Sequence, residues 1–397
     1  MPFFKDLSVN AFTAGFVAVL VGFTSSVAIV FQAAQAFNAT PAQIASWMWA
    51  LGIGMGLCTV LPSLYYKKPI MVAWSTPGAA VLATAGIAGG FSMAEAVGAF
   101  MVSAALITLC GVTGWFEKVM NRIPVAIASA LLAGVLARFA LSGFTAAQTA
   151  LPLVLLMLVV YLVGRRFIPR YAVVATLLAG VAYAAFRSEL AWSAVNFIFT
   201  MPVFVMPLFS MSAAISLAIP LFVVTMASQN LPGVAAIRAT GYEGQIPVSK
   251  VITMTGVATL LLAPFGGFAL NLSAITAAIV MGKEAHVDPD KRYTAAVSCG
   301  AIYLVIGIFG AAVTSLLAAF PKELVAAIAG LALLGTIGAG LAAAVKEETH
   351  REAALITFLV TLSGVVIAGI GSAFWGVVAG ALALFVQQYR QAKTSNF

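Results

Sequence analysis

The sequence predicts an all-α integral membrane protein with fourteen transmembrane segments, arranged as two inverted repeats of seven. Three observations lead to this fold class: the composition, the distribution of positive charge and an internal repeat. Of the 397 residues, 62% are hydrophobic and 8% are charged. Apolar runs of about 20 residues, the length that crosses a bilayer, follow one another with short polar connections. These connections leave no room for a soluble domain.

Positive charge falls almost entirely on one side of the membrane when the chain is divided into fourteen spans. Of the 20 lysines and arginines, all but Arg138, Arg187 and Lys322 lie in loops on the side that holds both termini. Because cytoplasmic loops carry the excess of Lys and Arg, both termini are predicted to be cytoplasmic. Omitting one span would invert every later loop and remove the bias.

The boundaries of the spans follow from the apolar runs and from this alternation of sides. The net charge of +8 is assigned to loops that face an anionic leaflet, so the expected charged partner is the lipid bilayer and not nucleic acid. The predicted spans are residues 12–36, 43–64, 69–88, 92–116, 122–142, 149–165, 170–186, 211–237, 247–265, 267–283, 292–319, 322–345, 352–369 and 372–389.

An internal repeat relates residues 1–142 to residues 211–345. Pro124 in RIPVAIASALLAG aligns with Pro321 in AFPKELVAAIAG, and the same offset places AWSTPGAAVLATAG on LNLSAITAAIVMGK. An odd number of spans per repeat requires the second copy to enter the membrane in the opposite orientation. Inverted repeats of this kind are typical of secondary transporters, whose sites lie near mid-membrane where the repeats meet. The alternative is chance similarity among helices rich in Ala and Gly.

Spans three and ten are predicted to be half-helices, each preceded by a short strand. Extended residues 69–74 lead into Ser75-Thr76-Pro77, and residues 268–272 lead into Ser273; both are helix-start signatures. Each helical part is about ten residues, or ~15 Å, half of the bilayer. The extended pieces could pair with each other, and the helix ends could attract an anionic group. The alternative is two ordinary helices with Pro and Gly kinks.

The residues that most enzymes and metal sites use are scarce. Cys58, Cys110 and Cys299 lie in apolar runs without a CxxC or His-spaced partner, so neither a metal site nor a disulfide is predicted. His286 and His350 lie in loops, and no acid–base pair lies within the spans. The sequence therefore predicts no enzyme, no cofactor and no metal. A channel is less expected than a carrier, since broken helices at the centre of an inverted repeat suit alternating access.

Four segments resemble the benzoate:proton symporter family (BenE): AWSTPGAA, VTMASQNLPGVAA, EAHVDPDKR and GIGSAFWG. The resemblance covers essentially the whole chain. It implies the fold of the uracil/xanthine permeases and of the sulfate and bicarbonate transporters, with a core domain and a gate domain. The core domain would comprise spans one to four (12–116) and eight to eleven (211–319), and the gate domain spans five to seven (122–186) and twelve to fourteen (322–389).

The resemblance also implies a function. We expect a secondary active transporter of the bacterial inner membrane that imports a small aromatic carboxylate such as benzoate with protons by alternating access. A homodimer could form through the gate domain, as it does among relatives. The alternative is a nucleobase or inorganic-anion transporter of the same fold.

Site residues are expected in spans one, three, eight and ten. Nucleobase permeases of this fold hold their substrate with acidic side chains from spans eight and ten. No carboxylate lies inside either segment here, which favours an anionic substrate, because a buried acid would repel it. Amides and hydroxyls would bind the carboxylate and aromatic rings would pack on the substrate, although each hydroxyl could instead bond its own helix. The candidates are Ser25, Ser26, Trp74, Ser75, Thr76, Gln229, Asn230, Phe268, Asn271 and Ser273.

The group that couples transport to protons is not evident, because all 12 acidic residues fall in loops or at span ends. Glu95, Glu284, His286 and Asp288 are the candidates, and histidine is the one residue type among them that ordinarily changes charge near neutral pH. The segment that holds the last three could equally be a solvated loop with salt bridges. The proton could also travel on the carboxyl group of the substrate itself.

Overall fold

The computed structural model describes residues 2–24, 26–116, 124–191, 198–273, 275–283, 285–365, 367 and 372–394, and the chain is predominantly helical. Two short strands, β1 (Val72–Trp74) and β2 (Leu270–Leu272), interrupt the helices. The helices are α1 Pro2–Asp6, α2 Val9–Thr24, α3 Val27–Ala36, α4 Pro41–Tyr66, α5 Thr76–Gly89, α6 Met93–Thr113, α7 Val125–Thr145, α8 Ala147–Phe167, α9 Ala172–Phe186, α10 residues 211–239, α11 Val248–Leu262, α12 Ile275–Val280, α13 Tyr293–Ile308, α14 Gly310–Ala318, α15 Lys322–Ala344, α16 Glu348–Ser363 and α17 Ser372–Thr394.

Seven of the described helices are long and apolar enough to cross a membrane, which confirms the prediction of a mostly helical membrane protein. An eighth arises if α13 and α14, bent by 73° at Phe309, are one span. Further apolar helices are shorter, among them α3, α5 and α9. The seven are Pro41–Tyr66, Met93–Thr113, Val125–Thr145, Ala147–Phe167, Met211–Val234, Val248–Phe265 and Lys322–Ala344.

Two predicted spans consist of more than one helix. Span 12–36 divides into α2 and α3 at a run of hydroxyl residues, where Ser26 Oγ donates to the carbonyl of Gly22 over 2.8 Å. This bond gives the chain a local alternative to the helix ladder. Span 292–319 bends at Phe309, next to Gly307. A Cβ atom at Gly52 of α4 would lie 2.5 Å from Gly307 Cα, so glycine permits a close approach of the two backbones there.

Helix α10 contains two π-helical turns, Ala214–Ala218 and Met226–Asn230. Each turn ends two residues before a proline, Pro220 or Pro232. Because proline cannot donate to the carbonyl four residues earlier and its ring collides with that carbonyl, a wider turn relieves the clash. The second turn packs against β2.

The helices pack in two groups. In the first group, α4 packs against α13, α6 against α11, and α2 against α13. In the second, α7 packs against α15 and α16, α16 against α17, and α8 against α9. Contacts of α7 with α5 and with the second π turn join the groups beside the strand pair.

Candidate substrate-binding site

The two strands form an antiparallel pair in which Ala73 lies opposite Asn271. The pairing extends beyond the strands, because Ser75 N donates to the Ala269 carbonyl and Ser273 N to the Met71 carbonyl, each over 3.0 Å. Segments almost 200 residues apart in the sequence therefore meet, with a helix beginning directly after each strand. This pair is the centre of the candidate site.

Threonine hydroxyls from the helices behind the strands satisfy the outer backbone groups. Thr59 Oγ1 of α4 accepts from Val72 N over 3.1 Å, and Thr259 Oγ1 of α11 accepts from Leu270 N over the same distance. Both threonines are fully buried. Since an unpaired buried amide is costly, these side chains permit a two-stranded sheet in an apolar surrounding.

One face of the strand pair is partly accessible. Directly opposite residues of an antiparallel pair point to the same face, so the side chain of Asn271 lies on the face of Ala73. Ala73 is half-buried, whereas the neighbours on the other face, Val72 and Leu272, are buried. A substrate would therefore meet the strand pair at Ala73, with the buried Asn271 directly opposite it.

One side-chain atom of Asn271 has no hydrogen-bond partner among the described residues. Its Nδ2 donates to the Ala269 carbonyl over 3.1 Å. Its Oδ1 is buried and has no donor among the described residues, although the whole residue is 0% exposed. A buried unpaired acceptor needs an explanation, and a ligand with a donor group would supply one.

Helix α5 begins at the strand pair with a well-formed cap. Ser75 Oγ accepts from Gly78 N over 3.0 Å and from Thr225 Oγ1 of α10 over 2.9 Å. Pro77 lies in the first turn, and Thr76 is half-buried without a side-chain hydrogen bond to any described residue. The first amides of α5 carry partial positive charge.

The corresponding helix of the second half, α12, has six described residues, fewer than expected. Ser273 Oγ accepts from Thr276 Oγ1 over 2.6 Å. This hydroxyl is therefore bonded within the first turn of α12.

Trp74 and Ser26 lie together at the break between α2 and α3. Trp74 Nε1 donates to Ser26 Oγ over 2.9 Å, and the Trp74 ring lies 5.5 Å from that of Phe23. Trp74 is 4% exposed, whereas Phe23 is half-buried. Phe23 is thus the more accessible ring, and it is not among the site residues predicted from the sequence. Its place just before the hydroxyl run is the signal that could have identified it.

The adjacent amides of α10 have different environments. Asn230 is 0% exposed, and its Oδ1 accepts from Leu272 N of β2 over 2.9 Å. Gln229 is half-buried and its side chain makes no hydrogen bond within the described ranges. Asn230 supports the strand pair, and Gln229 is available for a ligand.

Phe268 is fully buried in a cluster of three rings. Its ring lies 5.7 Å from that of Trp47 and 5.9 Å from that of Phe100. This position supports the chain that leads into β2. Contact with substrate stays a prediction for Phe268.

The described candidates for proton coupling bond to nearby loop or helix-end groups. Glu95 accepts from Ser92 N over 3.0 Å at the start of α6. His286 Nδ1 accepts from Asp288 N over 3.0 Å. Asp288 pairs with Lys291 at 3.9 Å. In the same segment, the hydrogen bond from Lys68 holds the pKa of Asp290 below its usual range.

The structure brings most of the predicted site residues to the strand pair. Ser25 and Glu284 lie outside the described residues. Three further polar or aromatic residues belong to the same neighbourhood and were not selected from the sequence, because their partners come from distant helices: Phe23, Thr59 and Thr225. The predicted residues that contact the strand pair or its flanks are Ser26, Trp74, Ser75, Asn230, Asn271 and Ser273.

Comparison with known proteins gives consistent matches along the whole chain. A family model described as benzoate membrane transport protein (BenE) matches residues 5–386. The inner membrane protein YdcO of Escherichia coli is 46% identical over 373 residues, which cover 94% of each chain. The benzoate membrane transport protein of Acinetobacter baylyi is 40% identical over 382 residues, 96% of each chain.

A solved structure shares the fold at low sequence identity. The transmembrane domain of a cyanobacterium bicarbonate transporter, BicA, superposes with a TM-score of 0.60, 15% identity and coverage of 97% of both chains. At this identity the likeness concerns the fold alone.

Proposed function

This chain belongs to the family of benzoate membrane transport proteins, and from that premise we propose that it imports an aromatic carboxylate such as benzoate together with protons by alternating access. Membership identifies a membrane transporter and not an enzyme. The observation that carries the substrate class is the strand-pair site, where amide and hydroxyl groups gather on a partly accessible face. No carboxylate occurs in spans eight or ten between residues 211–237 and 267–283.

Fourteen spans in two inverted repeats are part of the proposal. In an inverted repeat, each span corresponds to the span seven places later or earlier. If two helices pack together, their two equivalents in the other repeat should therefore also pack together. Helix α4 packs on α13 and its equivalent α11 packs on α6; α2 packs on α12 and its equivalent α10 packs on α5. The threonines behind the strands support the same symmetry.

We assign the two packing groups to a core domain, 12–116 and 211–319, and a gate domain, 122–186 and 322–389. Helices α8 and α9 pack together, as do their equivalents α16 and α17. The strand pair belongs to the first group, and its neighbours α5 and the second π turn contact α7 of the second. Movement of one group against the other would open the site to each side in turn. A homodimer through the gate domain is compatible with this division.

The substrate would lie against the Ala73–Asn271 face. Its carboxyl group would meet the unbonded amide and the hydroxyl of Thr76 at the start of α5, where Ser75 caps the helix. Phe23 would supply the accessible ring, and Trp74, which points to the other face of β1, would hold Phe23 in place. Ser25, Ser26, Gln229, Asn230 and Ser273 would complete the polar surroundings, and Phe268 would support them from behind.

We place the protein in the bacterial inner membrane with both termini in the cytoplasm. The distribution of Lys and Arg supports this orientation. Cysteines introduced at Lys67 and Arg187 test it by accessibility labelling, because they should react from opposite sides. Reaction of both from one side would contradict the fourteen-span arrangement.

A binding screen tests the substrate class. Purified protein should gain thermal stability from benzoate and hydroxybenzoates, because a ligand that binds the folded state stabilises it by about 2.7 kcal/mol at a hundredfold excess over Kd. Uracil, sulfate and bicarbonate should leave the Tm unchanged. Stabilisation by uracil or bicarbonate without an effect of benzoate would favour the nucleobase or inorganic-anion alternative.

A further inference from the structure

The unpaired oxygen of Asn271 specifies what the site requires of its ligand. Asn271 Oδ1 is an acceptor without a donor among the described residues, in a residue that is 0% exposed. It lies on the same strand-pair face as the accessible Ala73. A carboxylate has only acceptor oxygens, so it would place negative charge against this oxygen. A neutral carboxylic acid has an O–H donor that would satisfy it.

The amide group of Asn271 can both donate a hydrogen bond to a carboxylic acid and accept one from it. Only one of the two Nδ2 hydrogens is used, in the bond to the Ala269 carbonyl. The other hydrogen can donate to the carbonyl oxygen of the acid while Oδ1 accepts its O–H. The Thr76 amide at the start of α5 has no partner among the described residues and could donate to the same carbonyl oxygen.

The helices around the strand pair offer no carboxylate or imidazole that could hold the proton instead. The elements that contact the strands are α2, α4, α10 and α11, and α5 and α12 follow the strands directly. The titratable or charged side chains that the sequence places on these six elements are Cys58, Tyr65, Tyr66, Arg238 and Lys250.

We propose that the substrate binds as the neutral acid, recognised by Asn271, and that the cotransported proton is the one on the carboxyl group of the substrate. This inference rests on the proposed transport of aromatic carboxylates. A proton from the external solution bonds to one carboxylate oxygen, the neutral acid crosses with the moving site, and the proton dissociates in the cytoplasm. The balance is one proton for each carboxylate.

Proton dependence follows from the chemistry of the ligand. The free carboxyl group has a pKa of roughly 4, and a site that bonds the neutral form raises the pKa of the bound group. Above the free pKa, the apparent affinity for benzoate should therefore fall about tenfold for each unit of rising pH. Benzamide has the same shape, carries N–H donors and does not titrate in this range, so its affinity should not change with pH.

Competition against radiolabelled benzoate on the purified protein tests the proposal. It is measured at about pH 5.5, 6.5 and 7.5, values that all lie above the free pKa of ~4 of the carboxyl group. Benzamide should displace benzoate with an affinity that is independent of pH. Benzenesulfonate, which is always anionic and has no donor, should fail to displace it. Failure of benzamide to compete, or displacement by benzenesulfonate, would overturn recognition of the neutral acid. The absence of any saturable benzoate binding would instead refute the proposed function.

Two variants test whether the Asn271 side chain is the group that recognises the ligand. Asn271→Leu, which has nearly the same shape, should weaken benzamide binding roughly tenfold or more, because it removes two hydrogen bonds. Thr361→Val is the matched control, since Thr361 Oγ1 of α16 is also buried and unpaired among the described residues. It should bind both ligands as the wild type does. Wild-type benzamide affinity in Asn271→Leu would overturn the assignment, and the wild-type competition data decide the proposal even if this variant fails to fold.

Discussion

Replacing Gly266 with alanine should prevent folded protein from accumulating in the membrane. Gly266 has φ +94°, a conformation that L side chains rarely adopt, and a Cβ atom there would overlap the indole of Trp47. Trp47 cannot move aside easily, because it is 1% exposed and packs against Phe100 and Phe268. Backbone strain and overpacking each cost ~1–3 kcal/mol. The yield and Tm of detergent-purified protein measure the effect.

Gly338→Ala is the matched control for this substitution. Gly338 lies in α15, and a Cβ atom there would meet nothing within 4 Å. Alanine in a helix interior is favoured over glycine by about 0.5–1 kcal/mol, so the control should retain or slightly raise the Tm. Equal stability of the Gly266 and Gly338 variants would contradict the chain path described before β2.

Substitution by leucine should lower the Tm at Asn230 of α10 and weaken benzoate affinity at the adjacent Gln229. Asn230→Leu removes the acceptor of the buried Leu272 amide. An unsatisfied buried group costs ~1–3 kcal/mol, so we expect a lower Tm. Gln229→Leu breaks no hydrogen bond among the described residues, so its Tm should stay close to that of the wild type. Gln229→Leu should nevertheless weaken benzoate affinity, by about tenfold if one donor to the carboxyl group is lost.

Measuring Tm without ligand and benzoate affinity for both variants separates the two roles. A stable Asn230→Leu protein with wild-type affinity would mean that the Asn230 side chain does not support β2. A Gln229→Leu protein with wild-type affinity would remove Gln229 from the proposed site.

Patterns that are local in the sequence predicted much of the fold. Long apolar runs gave helices such as α4 and α15 close to the expected bounds. The Ser-Thr-Pro signature predicted the start of α5, where Ser75 does accept from Gly78 N. Capping and hydrophobicity depend on neighbours within a few residues, so a single sequence reveals them.

Features that depend on distant partners were not predictable. The bond of Asn230 to Leu272 depends on a π turn that brings α10 against β2, and adjacent amides look alike in the sequence. The bond from Trp74 Nε1 to Ser26 Oγ likewise joins residues that lie 48 positions apart. The sequence also suggested an anion site between two opposed helix ends. The unpaired acceptor of Asn271 leads instead to the proposal of a neutral acid.

Uptake of radiolabelled benzoate into proteoliposomes tests the central claim most directly. With an acidic exterior and a neutral interior, liposomes that contain the protein should accumulate benzoate at a higher initial rate than protein-free liposomes, and this rate should saturate with benzoate concentration. The uptake should disappear when a protonophore collapses the gradient, and non-radioactive benzoate should compete. Asn271→Leu should transport poorly and Thr361→Val should transport as the wild type does. Benzoate entry that is no faster than in protein-free liposomes, or that is equal in Asn271→Leu and wild type, would contradict the account.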